Sequence, residues 1–194
     1  MIVAVTRSRT VIAALCVVSV LALGACSGDD PEPRFAPPST SAPTSPSTTA
    51  VSGPVEPTMP AAAKGSDAAA AEAFVRFYWE MVNYAQATGD VAGLKALATR
   101  CINCDNGIDF ITNAYDKGGQ IRGGDGTVSR LETHFVKRTD GWWAITECHV
   151  ALTEQVVDLP GDAHDEHYGG GSSDIRLYLQ PIADGWTIRS VATQ

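Results

Sequence analysis

The hydrophobic period of this chain changes once, at Gly118 and Gly119, and that change bounds the fold more tightly than any other feature. Before it, Phe74, Phe77, Tyr78, Met81, Val82 and Ala85 recur at three- and four-residue spacing and make one wide apolar stripe of a helix. Ser66 and Asp67 precede the stripe as N-cap residues, and Gly89 stops it. Asp90 can cap a second, short helix through Leu94 and Leu97. Asp105 opens a third, in which Ile108, Ile111 and Tyr115 share a face and the glycine pair closes the run. Beyond that pair the period is two, over residues 127–138, 142–159, 173–182 and 186–192. "TDGW" and "ADGW" supply Asp-Gly, a strong short hairpin signal. Helices followed by an antiparallel meander define an α+β domain, with a curved sheet folded around the long first helix.

What precedes these elements cannot join their core. Residues 1–25 begin with Arg7 and Arg9 and no acid, continue in an apolar run over 11–23, and end on small residues. A run of about 13 residues suits a cleavable export signal, where a membrane span needs roughly 18 or more. "LGAC", with Leu23, Gly24 and Ala25 before Cys26, resembles the lipobox of bacterial lipoproteins, and the resemblance implies Cys26 as the acylated first residue of an extracytoplasmic, membrane-anchored chain. Residues 26–60 hold nine of the eleven prolines and many Ser and Thr. Such a stretch buries too little apolar surface to offset its ordering entropy and reads as a tether, with a reach on the order of 100 Å. Residues 61–194 remain as one folded domain, a size that holds a single core.

Charge narrows the partners. The chain has 14 basic and 22 acidic residues, net −8, and the leader carries two of the bases and none of the acids. A chain this acidic, with no basic stripe, is not expected to bind nucleic acid, and its membrane contact is expected through the lipid.

A wider resemblance rests on the lipobox, the tether, "PTMPAAAKG", "AFVRFYWEMVNYAQATGD", the cysteine pair Cys101 and Cys104 before "YDKGG", and the closing "DGWTIRSV". Together they resemble an actinobacterial lipoprotein family of unknown function (DUF6318-like). The order and size of the elements are also similar to the NTF2-like cone, about three N-terminal helices packed on a curved antiparallel sheet of four to five strands. The family resemblance carries no activity, cofactor or catalytic residue with it.

In an oxidising compartment Cys101, Cys104 and Cys148 are disulfide candidates. The shortest loop joins Cys101 to Cys104, a staple on the turn between the second and third helices, and leaves Cys148 as a buried thiol. A redox pair and a zinc site with Cys148 and His149 are the alternatives. Residues 148 and 149 point to opposite faces of a strand, which counts against the metal, and no βαβ pattern surrounds the CxxC. His164 and His167, among Asp162, Asp165 and Glu166, lie in a glycine-rich stretch that reads as a solvated acidic loop.

An NTF2-like cone implies a cavity. The candidate pocket residues are Tyr78, Tyr84, Asp109 and Tyr115, with Glu147 as a further ionisable group. Trp142 and Trp143 face opposite ways on one strand, so one of them lies off the core face and is a candidate partner surface. No nucleophile elbow, phosphate loop or HExxH helix is present. The resulting expectation is a binding module for a small apolar ligand or an envelope protein, without a cofactor. The alternative is an isomerase or hydratase-like enzyme that uses an ionisable residue in the cavity.

Overall fold

A computed structural model describes residues 53–161 and 164–194. The leader, Cys26, Asp162 and the tether up to residue 52 lie outside the described residues. After a short 3₁₀ turn at Ala61–Lys64 come three helices, α1 (Ala68–Thr88), α2 (Ala92–Ala96) and α3 (Ile102–Asp116). Seven strands follow, β1 (Gln120–Gly123), β2 (Gly126–Arg138), β3 (Gly141–Leu152), β4 (Gln155–Asp158), β5 (Glu166–Tyr168), β6 (Gly171–Ile182) and β7 (Gly185–Thr193). The α+β class and the helices-first order match the sequence reading.

Helix α1 begins where Asp67 accepts a hydrogen bond from the Ala70 N–H at 2.8 Å and ends at Gly89, in the left-handed region. Its stripe of Phe74, Phe77, Tyr78, Met81 and Ala85 is buried against Leu177, Leu179 and Ile188 of the sheet. Helix α3 starts at Ile102, earlier than the expected Asp105, because Cys101 is its cap and its Sγ accepts the Cys104 N–H at 3.3 Å.

In place of one curved sheet there are two, β2-β3-β6-β7 and β1-β4-β5. The registers show how they are related. Pairing Gly126↔Leu152 in the large sheet and Gly123↔Gln155 in the small one preserves a single antiparallel register, and so do Leu152↔Gly171 and Gln155↔Tyr168. Three long strands therefore run through both sheets and bend along one line, at residues 124–125, 153–154 and 169–170. This crease supplies the expected curvature. It depends on glycine because backbones meet there: a Cβ on Gly123 would lie 2.1 Å from the Glu154 carbonyl oxygen, and one on Gly170 2.8 Å from that of Leu152. The expected run over 142–159 is thus two strands, and the stretch expected as an acidic loop contributes β5.

Helix α1 is fastened to the crease by side-chain amides. Asn83 donates to the Gly126 carbonyl at 3.0 Å and accepts from the Gly126 N–H at 2.8 Å, while Gln86 donates to the Gly124 carbonyl at 3.2 Å. Asn83→Ala strands both Gly126 groups in a partly buried site, and an expected loss of about 2 kcal/mol is checked by urea denaturation.

Candidate functional site

The small sheet leans over α3 and the C-terminal half of α1. Ile121 and Val157 are buried beneath it, and Tyr168 of β5 meets Phe110 of α3 edge-on at 5.7 Å. Between the two helices and this flap lies a cleft of about 270 Å³, walled chiefly by Tyr78, Trp79, Val82, Ile108, Phe110 and Ile111. It leads into a second hollow of about 180 Å³ under Leu152 and Tyr168 that shares Trp79, Val82, Gln86 and Gln155. Gln155 donates to Gln86 between the two hollows, a polar gate in an apolar groove. The indole N–H of Trp79 is buried without a partner among the described residues, an unmet donor of a kind folded interiors seldom retain.

Of the pocket candidates read from sequence, Tyr78 lies on the cleft wall, with burial pushing its hydroxyl up to about 12. The other three line neither hollow. Tyr84 packs on the core. Tyr115 donates its hydroxyl to the Gln86 carbonyl at 2.7 Å and thereby ties α3 to α1. Asp109 faces solvent, since it is one residue past the buried Ile108 on α3. Glu147 is held by Arg176 at 2.8 Å on the face of the large sheet turned away from the helices. Trp79, Gln86, Phe110 and Gln155 are site residues that sequence reasoning does not single out. Trp79, Val82 and Gln86 do recur at helical spacing as a second stripe of α1, but the glutamine disguises it.

Cys101 and Cys104 form a disulfide, and Cys104 borders the cleft. Cys148 is a buried free thiol whose pKa is pushed up to about 11 by burial. Among the described residues no three His, Cys, Asp or Glu side chains stand close enough together to hold a metal ion. Trp142 is 58% exposed beyond the end of the core, while Trp143, on the opposite face, is only 8% exposed beneath Arg138, whose guanidinium carbon sits 4.7 Å from its ring centroid.

Helices lying in the hollow of a creased antiparallel sheet, with an apolar groove at the crease, define a small α+β domain. The chain belongs to a family of unknown function, DUF6318, whose profile matches residues 42–192. No curated protein matches it significantly. Among solved structures it is similar to the intermembrane space region of the chloroplast protein ARC6, at 16% identity over 66% of this chain and 97% of that one, with a TM-score of 0.50. It also matches a protein from Catenulispora acidiphila at 13% identity, 65% and 91% coverage and a TM-score of 0.41. ActVI-ORFA from Streptomyces coelicolor matches at 15% identity, 64% and 93% coverage and a TM-score of 0.38. These likenesses concern the fold alone.

Proposed function

We propose that this protein is a lipid-anchored extracytoplasmic binding module that holds a small, flat, apolar ligand in the groove between α1, α3 and the small sheet. The observation that carries the reading is the groove itself, with aromatic walls from Tyr78, Trp79 and Phe110 and the Gln86–Gln155 amides as its polar gate. The anchor is the lipid on Cys26, supported by the lipobox resemblance, and the Pro/Ser/Thr-rich stretch that follows it is the tether. The isomerase-like alternative lacks comparable support. Tyr78 is the titratable side chain on the cleft wall, and a phenol held protonated to about pH 12 donates a hydrogen bond but is a poor base at neutral pH.

Fluorescence titration of the full-length protein with 1-aminoanthracene, a neutral flat probe, tests the reading. Saturation at one probe per chain is expected, with Kd raised at least tenfold by Trp79→Ala. Failure to saturate, or equal affinity in the variant, would sink it. Native mass spectra of protein secreted under oxidising conditions should then show extra mass that is lost on denaturation, and so identify the natural ligand class.

A further inference from the structure

Arginines gather at one place on this acidic chain. On the face of the large sheet turned away from the helices, Arg100, Arg138 and Arg189 surround an open basin of about 550 Å³, completed by Trp143, Tyr178, Ser190 and Ala192. No carboxylate among the described residues lines it. Of the acids elsewhere on this face, Glu147 pairs with Arg176, Asp174 with Arg130 and His149, and Glu132 with His134. None of the three basin arginines makes an ion pair among the described residues, whereas Arg122, Arg130 and Arg176 each do.

The backbone holds these side chains together. Residues 97–99 run beside β7, with the Ile188 N–H donating to the Leu97 carbonyl and the Thr99 N–H to the Ile188 carbonyl, both at 2.9 Å. Arg100 follows next to Arg189, in the left-handed region at φ 53°, which a non-glycine residue seldom occupies. Its neighbour Cys101 is fixed by the disulfide to Cys104. Arg138 is oriented by its stacking on Trp143. Three guanidiniums with no counter-charge repel one another, and an unneutralised set of this kind suits an oxyanion that accepts from several forks at once.

We propose that this basin binds a phosphate monoester, independently of the apolar groove. A dianionic phosphoryl group answers three positive charges better than a single carboxylate does, and the hydroxyls of Tyr178 and Ser190 add neutral donors at the rim. The phosphoryl group can come from a soluble metabolite or from a lipid headgroup that is itself a monoester, as in phosphatidic acid, since both present the same three oxygens.

Isothermal titration of the full-length protein in neutral detergent with glycerol 3-phosphate, at low salt, is the test. One saturable site is expected, weakened at least tenfold by Arg100→Gln/Arg189→Gln and weakened again by roughly 300 mM NaCl. Arg100 is exposed, so Arg100→Gln alone keeps the fold and should lower affinity several-fold even if the double variant loses near-ultraviolet circular dichroism. Phosphatidic acid in the micelles then separates the sources. Displacement of glycerol 3-phosphate by trace phosphatidic acid assigns the site to a headgroup, and displacement only at equal concentration assigns it to a soluble monoester. No heat from glycerol 3-phosphate and none from phosphatidic acid, or unchanged affinity in both arginine variants, would overturn the site.

Discussion

Gly123→Ala will cost the domain on the order of 3 kcal/mol and lower Tm by roughly 10 °C, because two penalties fall on one methyl group. Gly123 has φ 69°, and an alanine there carries a left-handed penalty of about 1–2 kcal/mol. The added Cβ would also meet the Glu154 carbonyl oxygen at 2.1 Å, so the strands must part at the crease, an overpacking cost of about 1–3 kcal/mol. Gly161→Ala separates the two effects, since Gly161 has φ 77° and, among the described residues, nothing within 4 Å of its Cβ direction. That variant should lose only the left-handed penalty. Thermal melts of both proteins measure the difference, and equal losses would mean that the crease yields at no cost. Because the crease sets the lean of the small sheet over α3, Gly123→Ala should also weaken binding of the flat aromatic probe in whatever fraction stays folded.

The crease is also where sequence reasoning stops. Periodicity locates α1 because Phe74, Phe77, Tyr78, Met81 and Ala85 all answer to one core, and the Asp-Gly pairs at 140–141 and 184–185 mark two hairpins because each joins strands adjacent in sequence. The glycines at 123–124 and 169–170 carry the same local signal as a loop. Their role as bends within paired strands depends on a register shared with residues 153–154, which no local window contains. For the same reason β5, with three exposed residues, looks in sequence like part of an acidic loop. The cysteine pair is legible as a staple because its loop is short. That Cys101 also caps α3 is not, since a disulfide sulfur is an uncommon cap acceptor beside the usual Ser, Thr, Asp and Asn.

The same limits explain the candidate sites. Tyr78 is legible because it lies on the main stripe of α1. A third helix that begins at Asp105 and lines a cavity groups Asp109 and Tyr115 with it, whereas one stands in solvent and the other spends its hydroxyl on the Gln86 carbonyl. The basin arginines come from 100, 138 and 189, which are scattered in sequence and lie in a chain whose net charge argues against any basic site. Only the pairing of β2, β3, β6 and β7, with residues 97–99 alongside β7, brings them together.

Stability should fall steeply between about pH 10 and pH 12, and Tyr78 is the cause to isolate. Burial raises its pKa from 10.0 to about 12. Below pH 10 the phenol is protonated in both folded and unfolded chains, and its full contribution is present. From pH 10 upward the unfolded chain ionises while the folded one does not, so the unfolded state gains and stability drains away until the folded phenol titrates near pH 12. Two pKa units correspond to roughly 3 kcal/mol, a large share of what a domain of this size possesses. Tyr78→Phe keeps the ring and removes the titration. Urea midpoints at about pH 9 and pH 12 should therefore lie closer together in the variant than in the parent, with Cys148 contributing equally to both. Equal spacing in the two proteins would mean that the Tyr78 hydroxyl reaches water through the cleft, which would make the groove wetter and less suited to an apolar ligand than its walls imply.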